Sequence, residues 1–185
     1  MKDKLFTKKA YRADIRKIKA SYTPQKLHKF SEDVMELLEQ DPLFQSAHTI
    51  FIYHSMADEV NTHDLLNTYS DKKRFVLPVV CGDEIVLKTY FPETAMHFSS
   101  YGIWEPDGAD FTNLNKIDLV IVPGIAFDRK LNRMGRGKGF YDRLLPKLKA
   151  PKIGICFDFQ LFDEIPVEKN DIKMDKIISE FEMVL

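Results

Sequence analysis

The residues best equipped for chemistry lie together between Arg133 and Tyr141, in the segment RMGRGKGFY. Gly135, Gly137 and Gly139 alternate there with Arg136 and Lys138. Glycines let a chain turn tightly and bring backbone N–H groups up against an anion. Arg133, Arg136 and Lys138 add mobile positive charge. A strand-like run, Leu119 to Val122, lies upstream, and a helix is expected from about Gly139 to Lys149. A helix N-terminus there adds roughly half a positive charge and free N–H donors. The combination suits a polyphosphate. It is not a Walker A loop, because no Ser or Thr follows the lysine, and the GxGxxG fingerprint is also missing.

Other chemistries find less support. The histidines show no metal-ligand spacing, which argues against zinc. No Ser/His/Asp or Cys/His set is evident, so a protein nucleophile is not expected. Cys81 and Cys156 are far apart and form no CxxC. A disulfide framework is therefore not expected, and a reducing cytoplasm fits. Lys8 and Arg12 are four residues apart, hence on one helical face. By spacing alone that face reads as solvated and basic. Asp142, by itself, reads equally well as a first-turn helix carboxylate or as a metal ligand.

These residues must be positioned by a scaffold. A helix is expected over residues 3–20, with Tyr11, Ile15 and Ile18 on one side. Thr23 and Pro24 look like an N-cap and a first helical position, and the apolar stripe then runs to Leu38. Strands are expected at Ile50–Tyr53, Phe75–Val80, Ile85–Tyr90, Leu119–Val122, Ile153–Phe157 and Lys176–Ser179, with a turn at Gly82-Asp83. Asn61 or Thr62 caps a short helix carrying Leu65, Leu66 and Tyr69. Residues 92–113 read as loop-rich. Strands separated by helices imply an α/β fold: a mostly parallel sheet in a three-layer αβα arrangement. Ligands then bind outside the carboxyl ends of strands, where Ser55–Thr62 and Gly124–Asp142 both emerge.

The bulk composition agrees. The chain has 185 residues, 44% hydrophobic and 30% charged, which suits one domain over 1–185 with a sizeable core. The formal net charge of -1 gives no sign of a nucleic-acid or membrane partner.

Beyond composition, the segment PGIAFDRKLNRMGRGKGFYDRLL, Pro123 to Leu145, resembles the signature of the 5-formyltetrahydrofolate cyclo-ligase family. Further ordered segments carry the likeness across almost the whole chain. They are KKAYR (Lys8 to Arg12), DEVNT (Asp58 to Thr62), YGIWEP (Tyr101 to Pro106) and PVEKNDIKMDKIISE (Pro166 to Glu180). Two positions depart from the family pattern. Leu131 stands where glycine is usual, and Phe140 replaces a usual tyrosine.

The resemblance implies a fold like that of sugar-phosphate isomerases and CoA transferases. It implies conversion of 5-formyltetrahydrofolate and ATP to 5,10-methenyltetrahydrofolate, ADP and phosphate. Arg133, Arg136 and Lys138 would be catalytic. ATP would be held by Lys8, Lys9, Ala10, Tyr11 and Arg12 together with Arg133, Met134, Gly135, Arg136, Gly137, Lys138, Gly139, Phe140 and Tyr141. Asp142 and Asp171 would bind magnesium. His54, Glu59, Tyr101 and Trp104 would contact the folate, polyglutamylated forms included. A cytoplasmic monomer is expected. The competing expectation is a binding module of the same fold that has lost turnover.

Overall fold

The computed structural model describes residues 7–185. The chain opens with α1 (Lys8–Ala20), α2 (Pro24–Gln40) and α3 (Pro42–Ser46). The first few residues of the helix expected over 3–20 lie outside the described residues. Thr7 caps α1 by accepting from the Ala10 N–H, and Thr23 caps α2 by accepting from Lys26, with Pro24 just inside the helix. Asp41 ends α2, caps α3 through the Leu43 N–H and pairs with Lys176. There follow β1 (Thr49–Phe51), α4 (His63–Thr68), β2 (Arg74–Cys81), β3 (Glu84–Tyr90), β4 (Met96–Phe98), β5 (Trp104–Pro106) and β6 (Leu119–Val122). The remainder is β7 (Ala126–Asp128), β8 (Arg133–Met134), α5 (Phe140–Leu144), β9 (Lys152–Ile155), β10 (Leu161–Phe162), β11 (Lys176–Ile178) and β12 (Met183–Val184).

The main sheet has seven strands in the order β12-β11-β9-β6-β1-β2-β3. All neighbours are parallel except the two edge pairs, β11–β12 and β2–β3. Side chains alternate between the faces, as the strand repeat demands. On one face Ile50, Ile52, Leu77, Leu119 and Ile121 pack with Val34, Leu38 and Phe44 of α2 and α3 and with Leu65 and Leu66 of α4. On the other, Phe51, Val76, Val120 and Val122 pack with Phe127, Leu144, Leu145, Leu148 and Met174. The expected mostly parallel α/β sheet flanked by helices is therefore present.

Three local expectations fail. The helix expected over Gly139–Lys149 is only the five-residue α5, followed by a 3-10 turn at Leu145–Lys147. Pro146 has no N–H to donate to the Asp142 carbonyl, so the α-helical ladder stops there. Its dipole is correspondingly small. The loop-rich stretch 92–113 contains an antiparallel pair, β4 with β5. The segment read as one loop after β6 begins instead with the β7–β8 hairpin, which β10 completes as a second sheet.

That hairpin depends on Asp128, which is fully buried. Its carboxylate accepts from the N–H groups of Lys130, Asn132 and Ile165 and from the Asn132 amide. The turn it closes places Leu131 at φ 68. A left-handed conformation costs a β-carbon-bearing residue about 1–2 kcal/mol. The leucine at a position where glycine is usual thus keeps the turn and bears the strain, while packing partly against the core.

Candidate active site

The order of strands reverses between β1 and β6: β2 lies on one side of β1, and β6 with β9 on the other. Chains leaving the carboxyl ends of β1 and β6 therefore diverge and open a crevice. A cleft of about 560 Å³ lies there. Its lining comes from the segment after β1 (Tyr53, His54, Met56, Glu59), the segment after β6 (Pro123, Gly124), the glycine-rich loop, and the Tyr101–Trp104 strip. The start of α1 adds Lys8 and Arg12, and the chain before β11 adds Glu168 and Asp171.

The segment after β1 is cinched by reciprocal bonds. The Ser55 N–H donates to Thr62 Oγ1, and the Thr62 N–H donates to Ser55 Oγ. Thr62 Oγ1 donates to the Tyr53 carbonyl, and the Tyr53 hydroxyl donates to that of Val60. Thr62 holds the N-cap position of α4 with its side chain committed elsewhere, and Asn61 Oδ1 accepts from the His63 N–H in its stead. The turn thus held presents His54 and Glu59 to the cleft.

The glycine-rich loop folds around Arg133. Its guanidinium is buried and donates to the Pro123 carbonyl at 3.1 Å and to Asp142 Oδ1 at 2.8 Å. It also lies over the Tyr141 ring, 5.3 Å from the centroid. Gly137 and Gly139 have φ of 99° and 71°, so the turn requires glycine at both. Arg12 donates through Nε to the Gly135 carbonyl at 2.9 Å, docking α1 onto the loop. Arg143, which sequence reading passed over, braces the other side. It donates to the Lys138 carbonyl and to the Asp83 carbonyl of the β2–β3 turn, and lies over the Phe140 ring. Its role follows from that turn's approach, which no local signal announces.

Most charges in the cleft are already paired. Lys8 holds Asp171 at 2.6 Å and Glu168 at 3.3 Å. Arg136, expected at a phosphate, instead donates to Asp58 at 2.8 Å and to Glu59 at 2.9 Å. Lys138 is exposed and forms no ion pair or side-chain hydrogen bond among the described residues. Lys9 and Ala10 are exposed outside the cleft lining. Tyr11 packs edge-on against Phe162 and donates to the Glu164 carbonyl. Met134 is buried beside Ile15, Ala126 and Ile165. Met134 and Tyr11 thus serve the packing of α1 on the small sheet.

Four buried side-chain polar atoms lack a partner among the described residues, and three belong to cleft residues: His54 Nδ1, Arg133 Nε and Tyr141 Oη. Such atoms are rare in folded proteins and call for a polar occupant. The mouth is aromatic. Trp104 and Tyr101 are half exposed, and Tyr101 meets Phe140 edge-to-face at 5.6 Å. Flat ligands gain from such surfaces. Burial raises the Tyr141 phenol well above its usual range; the Glu59 charge adds to this and Arg133 opposes it.

His54 stacks on His63, with ring centroids 3.9 Å apart. Burial, and then the His63 charge, lowers its pKa from 6.5 to about 4. The folded value lies below the unfolded one, so stability from neutral His54 is complete above about pH 6.5 and lost as pH falls toward about 4. The melting temperature should therefore fall over this window, and His54→Asn should flatten the decline. Parallel melting profiles in the two proteins would assign the acid sensitivity elsewhere.

A mostly parallel sheet with a glycine-lined cleft bearing arginine and lysine at its switch point defines an α/β protein with a candidate anion site. Residues 5–180 match the model of the 5-formyltetrahydrofolate cyclo-ligase family, and the chain belongs to that family. It is 31% identical over 180 residues to the 5-formyltetrahydrofolate cyclo-ligase of Haemophilus influenzae, covering 90% of this chain and 94% of that one. The Escherichia coli K12 enzyme of the same name is 29% identical over 174 residues, with 89% and 96% covered. The solved structure of Aquifex aeolicus 5,10-methenyltetrahydrofolate synthetase superposes with a TM-score of 0.86 at 30% identity, covering 95% of this chain and 91% of that one.

Proposed function

We propose that this chain converts 5-formyltetrahydrofolate to 5,10-methenyltetrahydrofolate with ATP as co-substrate, acting as a cytoplasmic, monomeric, single-domain enzyme. The observation that carries the reading is the convergence, in one cleft, of the glycine-rich cationic loop, Glu59 and the exposed rings of Tyr101 and Trp104. Free Cys81 and Cys156 fit a reducing compartment. Among the described residues no helix is long and apolar enough to cross a membrane.

The formyl group is amide-like, and its carbon is a poor electrophile. Attack of its oxygen on the γ-phosphorus, with departure of ADP, makes that oxygen a leaving group. The neighbouring folate nitrogen then closes the ring on the carbon and gives up its proton to solvent, and phosphate departs. No protein nucleophile is needed. The protein's part is to align the oxygen with the phosphorus and to neutralise charge. Lys138 and Arg136 would meet the phosphates, with Lys8 and Arg12 beside them. Glu59 would accept from the pterin amino and ring N–H groups, His54 would offer the orphaned Nδ1, and Tyr101 and Trp104 would flank the rings. Purified protein mixed with both substrates should give methenyl-folate absorbance, which a binding module would not. A heavy oxygen placed in the formyl group should appear in the released phosphate, one atom per turnover; label found in water instead would end the phosphorylated route.

Magnesium would complete the site. It takes oxygen ligands, often one or two carboxylates with water and phosphate, and bound there it would offset phosphate charge. Asp142 fits, because only its Oδ1 is engaged, by Arg133. Asp171 accepts from Lys8 on both oxygens and from the Glu168 N–H, so it must first release Lys8 to join. Asp142→Asn should shift the magnesium titration of activity to at least about tenfold higher concentration. An unchanged titration curve would leave Asp142 only its contact with Arg133.

A further inference from the structure

The pairing of Arg136 with Asp58 and Glu59 joins the two halves of the cleft. Arg136 belongs to the glycine-rich loop, while Asp58 and Glu59 belong to the turn after β1. Glu59 Oε1 accepts from Arg136 Nε at 3.3 Å and from Nη2 at 2.9 Å, whereas Oε2 accepts from the Met56 N–H at 3.0 Å. Each carboxylate oxygen has about two acceptor positions, so Oε1 is full and Oε2 has one place left. A pterin donating a parallel pair needs one place on each oxygen, and a contact from Arg136 must give way. A triphosphate on the loop also draws Arg136, because it is the more concentrated charge.

We infer that Asp58 and Glu59 latch Arg136, and that folate and ATP bind with positive coupling because each opens the same latch. The inference rests on the proposed two-substrate function. Whichever ligand arrives second finds the pair already broken and does not bear that cost again. Asp58 is the positioning residue. It touches the latch from outside the pterin's place, and Lys19 secures it through both its carbonyl and its carboxylate. The glycines flanking Arg136 give its backbone room to follow the side chain. The coupling is reciprocal by thermodynamic necessity.

Calorimetry with a non-hydrolysable ATP analogue and 5-methyltetrahydrofolate, which has no formyl oxygen to react, tests this. In the wild-type protein, saturating folate should tighten the analogue by at least about fivefold, and the analogue should tighten folate by the same factor. Asp58→Asn should bind the analogue more tightly than wild type when folate is absent, and the coupling factor should shrink. A role confined to stability would not tighten ATP binding. Arg136→Gln should bring the factor to one, whatever it does to either affinity. Independent binding of both ligands to the wild-type protein, or full coupling in Arg136→Gln, overturns the latch while leaving the function standing. Failure of the wild-type protein to bind either ligand overturns the function and the latch together.

Discussion

Lys138→Ala is expected to lower kcat/KM for ATP by roughly 100-fold or more while leaving the melting temperature unchanged. The two halves of this expectation have separate causes. The Lys138 ammonium is exposed and has no side-chain partner among the described residues, so the folded state loses nothing with it. Among the described cleft residues Lys8, Arg133 and Arg136 are each held by a carboxylate and Arg12 by the Gly135 carbonyl, whereas the Lys138 side chain is held by neither. A charge-assisted contact contributes about 1.5–3 kcal/mol, and removal of a donor at developing charge costs about 10²–10³ in rate. Lys138→Arg should retain part of the activity, because the charge persists on a bulkier head. Steady-state kinetics in ATP, with thermal melting as the folding control, decides the matter. Normal turnover in a normally folded Lys138→Ala protein would take Lys138 out of the phosphate site.

Arg133→Met should lower both activity and stability. Arg133 is buried, and its loss strips a donor from the Pro123 carbonyl and the ion-pair partner from Asp142. Each group left unsatisfied costs about 1–3 kcal/mol when buried. The Asp142 side chain is 28% exposed, so water relieves part of its share, and a total of about 2 kcal/mol is reasonable. For a chain of this length that is a drop of about 4–8 °C in melting temperature. Turnover should fall by at least about 100-fold, because Asp142, the loop and the Tyr141 ring all take their positions from this guanidinium. Arg133→Lys should keep the charge but lose the fork that reaches Pro123 and Asp142 together, and should remain impaired. A Met variant that melts and turns over like wild type would show that Arg133 positions nothing of consequence.

Arg133 and Lys138 sit five residues apart and do different work. One is a buried brace and the other a free charge. In the sequence both read as loop cations, and burial separates their roles. Asp142 and Asp171 differ in the same way: both are carboxylates on the cleft, but Asp142 keeps an oxygen open while both oxygens of Asp171 are engaged.

By itself the sequence determined what depends on local chemistry. Short continuous apolar runs marked the central strands, Thr23-Pro24 marked a helix start, and the alternation of glycine with Arg136 and Lys138 marked an anion loop. Each of these follows from residues within a few positions of one another. Tertiary structure alone decided which charges meet. Arg136 reaches Glu59 across 77 residues, and Lys8 reaches Asp171 across 163. No short-range pattern encodes such pairs, because the sheet order and the docking of α1 set their separation. The two-residue strands β8 and β10 were equally illegible, since two residues carry no period. The same holds for Arg143, whose partner Asp83 comes near only when the β2–β3 turn folds over the loop. Sequence therefore supplied the cast of the site, and the long-range packing decided which of its charges are free to act.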